Sequence, residues 1–232
     1  MQARRGFVPK DERYFSHEAL EVMRSASRHI CYLINNGYGL KQASTFVGDH
    51  FQLAERQRIA LTRAVATDEQ LADRRAKEVP VRQLGGRDVW IDGFNTIITL
   101  EVMLSDSILL SCMDGAIRDL ASLRGTYHII PQTSEAIQLL FDVLRDAGVK
   151  SATILLDKPV SNSGRLKQLL DTMGASYPFA LEARLEDAVD SQLYGRECVI
   201  SSDSIVLDKS ASWVNLGRHC LDLTGRRAIR VW

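Results

Sequence analysis

The sequence predicts an α/β protein, a parallel sheet flanked by helices, behind a small all-helical N-terminal domain. Two observations carry this. Beyond residue 88, short apolar runs of strand length alternate with helix-like stretches, as in strands joined by helical crossovers. Before residue 80 only helical patterns occur, and Pro80 with Gly85-Gly86 makes a joint between the two regimes. The helical domain is therefore placed at residues 1–85 and the α/β domain at 86–232.

In the first domain, Ser16 or His17 opens a helix running to Asn35, with Leu20, Val22, Met23, Ile30, Leu33 and Ile34 as its apolar positions and Gly37 and Gly39 as its stop. Helices follow at 40–49 and 53–66. Thr67 and Gln70 form a capping box for a fourth at 68–78. In the second domain, strands are predicted at 89–92, 108–114, 153–157, 177–183 and 198–203. Residues 96–104 are ambiguous between strand and helix. Helices are predicted at 134–147, closed by Gly148, and at 164–173 and 185–193. The arginine-bearing tail, residues 224–232, reads as a closing edge strand.

The apolar share of 45 % is ordinary for a soluble globular chain, and no apolar run approaches the ~18 residues a membrane span needs. The opening Met-Gln-Ala-Arg-Arg-Gly is not followed by an apolar run, so no secretory signal is expected. These features predict a cytoplasmic protein without membrane partners, and leave a homo-oligomer open. Net charge is zero but uneven: residues 1–85 carry 14 Lys/Arg against 10 Asp/Glu, and the remainder 15 against 19. A basic front beside an acidic back suits a nucleic-acid grip next to a metal centre. Cys31, Cys112, Cys198 and Cys220 form no CxxC pair, the five histidines no HxxxH pattern, and no Gly-x-Ser-x-Gly elbow or GxGxxG frame is present. Zinc, hydrolase-triad and dinucleotide chemistry are thus disfavoured.

Four predicted strands end at an aspartate: Asp92, Asp114, Asp157 and Asp203. In a parallel sheet these carboxylates emerge at the carboxyl edge, where such folds bind ligands. Like charges gathered there need a cation or proton to offset them, and a divalent metal is the usual answer. Asp92 lies in Ile91-Asp92-Gly93-Phe94-Asn95, where the glycine is expected to let the chain turn sharply and Asn95 to orient a carboxylate or phosphate. Asp203 follows Ser201-Ser202, which leaves room for a hydrated metal; an ordinary helix N-cap explains the same residues. Asp187 and Asp190, three apart, share one face of the helix predicted at 185–193. Ser161, Asn162 and Ser163, before the helix at 164–173, are candidate phosphate contacts, as is Ser202. Asp119, beside Arg118, reads as a salt-bridge partner. Arg56, Arg58, Arg63, Arg74 and Arg75 are expected to steer a polyanion.

A strand ending Ile-Asp-Gly-Phe-Asn, a later Asp-rich helix and a strand ending Ser-Ser-Asp together resemble the PIN-like nuclease superfamily, closest to its NYN branch, over residues 86–210. The whole chain also resembles the family called domain of unknown function 434, in the helical front with Asn36-Gly37-Tyr38-Gly39 and in the stretches 114–119 and 156–164. The resemblance implies a PIN-like α/β domain whose acids hold Mg²⁺ or Mn²⁺ and which hydrolyses phosphodiester bonds, usually of RNA, single-stranded or structured. It carries Asp92 over as the first-strand acid, Asp203 as the late-strand acid, and Asp187 or Asp190 as the acid between. Asp114 and Asp157 have weaker counterparts there. The alternative is a non-catalytic RNA-binding or regulatory module on the same fold. A phosphatase ranks last, because no DxD nucleophile arrangement is present.

Overall fold

The computed structural model describes residues 4–121 and 125–232. The front of the chain is helical: α1 (Asp11–Tyr14), α2 (His17–Asn35), α3 (Leu40–His50), α4 (Glu55–Ala64) and α5 (Asp68–Lys77). On α2 the buried residues Met23, Ala26, Ser27, Ile30 and Ile34 fall at helical spacing on one face. Ser16 caps α2, and the reciprocal Thr67–Gln70 bonds expected from the sequence start α5.

The rest alternates between strand and helix: β1 (Asp88–Asp92), α6 (Gly93–Leu104), β2 (Leu109–Ser111), β3 (Ile117–Asp119), α7 (Pro131–Asp146), β4 (Ser151–Asp157), α8 (Ser163–Gly174), β5 (Ala180–Glu186), α9 (Val189–Leu193), β6 (Val199–Ile200), α10 (Ser204–Lys209), β7 (Trp213–Val214) and α11 (Leu216–Thr224). Five strands form one sheet in the order β5-β4-β1-β6-β7, every neighbouring pair parallel. Val89 and Ile91 of β1 bury on one face among residues of α6, α7, α8 and α11. Trp90, on the other face, packs with Val189 and Leu193 of α9 and Val206 of α10. A sheet covered on both faces is the environment in which parallel strands are stable. Among the described residues no helix is long and apolar enough to cross a membrane.

Three predicted elements fold differently. Residues 108–114 do not add a parallel strand. β2 pairs antiparallel with β3, and Asp114 sits in the turn between them, beside Gly115 at φ +85°. Leu110 and Cys112 bury against the helical front instead of the large sheet, which is what draws the hairpin away. Residues 185–193 are not one helix, because the register of β5 with β4 runs on to the pair Asp157–Glu186 before α9 begins. The tail contributes a single bridge from Ile229 to Leu110 where an edge strand was expected.

The helical front is not a detached unit. Its core joins Met23, Ile30, Ala60 and Leu61 to Leu110, Cys112 and Leu120 of the hairpin region and to Val231 of the tail. The chain leaving α5 also lies along β7, where the Val79 N–H donates to the Trp213 carbonyl at 2.8 Å and the Trp213 indole donates to the Arg74 carbonyl at 2.7 Å.

Gly93 has a different purpose from the one its sequence context suggests. It opens α6, and a Cβ there would lie 2.7 Å from the Leu155 carbonyl oxygen and 2.6 Å from Leu156 Cδ2. The glycine is needed for close approach of α6 to β4. Gly93→Ala is therefore expected to cost about 1–3 kcal/mol, as for an overpacked core. An unchanged midpoint in urea unfolding would show that β4 yields freely.

Candidate active site

Asp92 ends β1 and caps α6: one carboxylate oxygen accepts the Asn95 N–H at 3.4 Å and the other accepts the Ser201 hydroxyl at 2.9 Å. Asp203 caps α10 in the same manner, with one oxygen accepting the N–H groups of Ile205 and Val206 at 2.8 and 3.2 Å. Among the described residues its second oxygen accepts no hydrogen bond. Asp157 ends β4, next to β1 in the sheet, and Asp190 lies in the first turn of α9. These four carboxylates, from four separate segments, line one cleft of about 370 Å³ at the carboxyl edge of the sheet. The far wall comes from the helical front and the hairpin, with Thr62, Arg63, Arg118 and Asp119.

The acids act on one another. Burial lifts the Asp92 carboxyl to about 7; Asp190 and Asp203 add to the rise, while the Ser201 hydroxyl and the Asn95 N–H oppose it. Asp190 is raised by burial and then by repulsion from Asp203 and Asp157, with Lys209 opposing. Asp157 is raised by burial, against hydrogen bonds from its own backbone and from Val189. Burial is the largest cause for all three, and for Asp92 and Asp190 the neighbouring acids add to it, as in a site where negative charge gathers. The donor set is all carboxylate, hydroxyl and amide oxygen, matching a hard divalent cation. Among the described residues no three His, Cys, Asp or Glu side chains are grouped closely enough to hold a metal ion.

Asn95 and Ser202 also line the cleft, but their polar groups face each other: the Asn95 side-chain oxygen accepts the Ser202 N–H at 2.8 Å and its hydroxyl at 2.9 Å. Arg118 donates to the Ser202 carbonyl from the other side at 2.6 Å. The Ser-Ser-Asp loop is thus held through both backbone polar groups of Ser202.

The remaining candidates lie elsewhere. Asp187 follows the end of β5 and stands in solvent, its carboxylate 80 % exposed and 3.9 Å from the Lys158 ammonium. The strand–turn–helix break removes the helical face it was expected to share with Asp190. Asp114 is buried in the hairpin turn, clamped by Arg118 at 2.6 Å and Arg74 at 2.7 Å, and both of its oxygens are committed to those guanidiniums. It supports the cleft without lining it. Ser161, Asn162 and Ser163 tie the β4–α8 loop down. The Ser161 hydroxyl accepts the Tyr127 N–H, the Asn162 amide donates to the Tyr127 carbonyl at 2.6 Å, and the Ser163 hydroxyl donates to the Lys158 carbonyl. None of the three lines the cleft.

Sequence reasoning passed over Asp119, which lines the cleft while its side chain accepts from the Thr99 hydroxyl at 2.8 Å and from the Ala121 N–H at 2.8 Å. A signal was present. Arg118 and Asp119 are adjacent on a strand, so they point to opposite faces and are poorly placed to pair with each other.

Two family models divide the chain close to the joint at Gly85-Gly86. The model described as "Protein of unknown function (DUF434)" matches residues 22–77, and that described as "Domain of unknown function (DUF5616)" matches residues 81–219. The chain is similar to the uncharacterized protein MJ0935 of Methanocaldococcus jannaschii, 30 % identical over 185 residues that cover 80 % of this chain and 88 % of the relative. No solved structure matches it. With the larger model covering more than half its length, the chain belongs to the DUF5616 family and carries a DUF434 region in front of that domain.

Proposed function

We propose that this protein is a metal-dependent nuclease on a PIN-like plan, hydrolysing phosphodiester bonds of RNA at the carboxyl edge of its sheet. The observation that supports this most is the convergence of Asp92, Asp157, Asp190 and Asp203 on one cleft, with the carboxyl groups of Asp92, Asp157 and Asp190 raised there. Their order along the chain parallels the PIN-like motifs, with Asp190 in the place of the intermediate acid.

In this reading Asp92, Asp190 and Asp203 hold Mg²⁺ or Mn²⁺, and Asp157 completes the negative field. The bound ion supplies Lewis acidity at the scissile phosphate and neutralises charge on the leaving oxygen. The protein does the positioning. Ser201 fixes one Asp92 oxygen, and Asn95 with Arg118 holds the Ser202 peptide so that Asp203 stays at the start of α10. Asp157, raised by burial at the edge of the site, is suited to take a proton from the attacking water.

End-labelled RNA incubated with Mn²⁺ or with EDTA tests the proposal, using wild type and Asp203→Asn. The asparagine keeps the N-cap of α10, since Asn caps as well as Asp. Products are expected with Mn²⁺ only, and a loss of roughly tenfold to a hundredfold or more in the variant. RNA that stays intact yet shifts in a gel would identify a binding module instead.

A further inference from the structure

One wall of the cleft is shared by the helical front, through Thr62 and Arg63, and the hairpin, through Arg118 and Asp119. Five arginines of the front were expected to steer a polyanion, and the structure separates them sharply. Arg56 is spent on Asp11 and on the carbonyls of Gly6 and Leu120, and Arg58 on Asp49 and the Leu53 carbonyl. Arg74 is buried between Asp114 and Asp208. Arg75 is exposed on α5 and does not line the cleft. Arg63 does line it, its side chain 36 % exposed. Arg118 is also in the wall, but its guanidinium is taken up by Asp114 and by the carbonyls of Ser202 and Arg63.

Arg63 is held for a purpose its neighbours do not consume. Its backbone carbonyl accepts from Arg118 at 3.0 Å, and one terminal nitrogen donates to the Asp119 carbonyl, with Asp119 Oδ1 a looser 3.5 Å away. Among the described residues its Nε and second terminal nitrogen make no hydrogen bond. A guanidinium has five donors, so most of this one's capacity is left over at the mouth of an acidic cleft. Asp92, Asp190 and Asp203 would hold the cation that neutralises part of a phosphate's charge, and the free donors of Arg63 in the same cleft suit its remaining oxygens. A volume of about 370 Å³ is that of a small-molecule site, and Phe94 and Ile98 supply apolar lining.

We propose that Arg63 is the phosphate contact of a seat for one nucleotide of single-stranded RNA, so that the helical front forms part of the substrate site. The seat rests on the phosphodiesterase reading for its acidic wall. Its own prediction concerns binding, which can be read without turnover.

The test measures binding of a labelled single-stranded RNA oligonucleotide by anisotropy, with Ca²⁺ in place of Mg²⁺ and the RNA checked for integrity afterwards. Arg63→Gln keeps a donor for the Asp119 carbonyl and removes the charge; Arg63→Lys restores the charge; Arg75→Ala is the control. Arg63→Gln is expected to weaken binding about tenfold, the loss of one charge-assisted hydrogen bond. It should lower the slope of log affinity against log salt by about 0.7, the value for one phosphate contact on a single strand. Arg63→Lys should recover the slope, which a merely structural residue would not do, and Arg75→Ala should leave both quantities near wild type. An unchanged slope in Arg63→Gln overturns the proposal, as does duplex RNA bound as tightly as single strands. Arg63-dependent binding without Mn²⁺-dependent cleavage would keep the seat and remove the nuclease reading. Cleavage indifferent to Arg63 would do the reverse.

Discussion

Replacing Asp92 by Asn will make the metal-free protein more stable in mildly alkaline solution and, if the cleft holds Mn²⁺ as proposed, abolish the stabilisation that the ion gives. The reason is the cost of keeping a buried carboxylate ionised. Its carboxyl is raised to about 7, chiefly by burial, from an ordinary value near 4. A raised folded-state value means that the stability it contributes is fully present below about pH 4 and is lost as pH climbs through about 7. Above that, ionised Asp92 works against the fold by at most about 4 kcal/mol. Asparagine removes that cost while retaining an acceptor for the Asn95 N–H, and the Ser201 hydroxyl can turn to accept from the new amide.

Mn²⁺ should reverse the order. An ion that binds the folded state stabilises wild type in proportion to its occupancy, and the variant lacks a ligand for it. Calorimetric melting of both proteins at about pH 8, with and without Mn²⁺, reads the two effects together, since ~1 kcal/mol moves the midpoint of a chain this size by ~2–4 °C. The expected signature is a crossing: the variant melts higher without metal, wild type higher with it. Lowering the pH to about 5 should narrow the metal-free gap, which closes only near pH 4, where the unfolded carboxyl is protonated as well. A variant that melts lower at every pH would show that Asp92 is a structural cap and nothing more.

How far the sequence discloses this site follows from what each residue depends on. Asp92, Asp157 and Asp203 are legible because strand termination is local, and a parallel sheet turns local endings into one shared edge. Asp190 is found for a partly mistaken reason: the helix assigned to it is real only from Val189, and it reaches the cleft by its place in the first turn. Asp187 and Asp114 mislead for the same physical cause. Where a strand ends is set by its partner, and neither the β4–β5 register nor the β2–β3 hairpin can be read from one strand alone. Arg63 and Asp119 are harder still. Their meeting joins α4 to β3 across 56 residues, and only the shared core of front and hairpin brings it about. The two-part organisation of the chain is visible in composition; that the front completes the cleft is not.

Removing the Asp114 carboxylate will be among the most damaging single changes away from the cleft. Asp114 and Arg74 are almost fully buried and Arg118 nearly so, with Asp208 of α10 completing the chain of charges. The network joins α5 of the front to the hairpin and to α10. Burial alone would raise the Asp114 carboxyl, but Arg118 and Arg74 beside it outweigh that and hold it below the ordinary carboxylate range. A lowered value contributes stability that is present above about pH 4 and lost as pH falls through the folded-state value, the opposite sense to Asp92. Asp114→Ala strands Arg118 without a carboxylate, which should cost about 3–5 kcal/mol and lower the melting temperature by roughly 10 °C. The double change Asp114→Leu with Arg118→Met removes both charges at similar volume and should recover much of that loss. It cannot recover the bond from Arg118 to the Ser202 carbonyl, so Mn²⁺ affinity should remain weakened by roughly tenfold to a hundredfold. Stability restored together with full Mn²⁺ affinity would show that the network holds the fold but does not position Asp203. Stability restored with weak affinity would tie the buried charges of the front to the chemistry of the cleft.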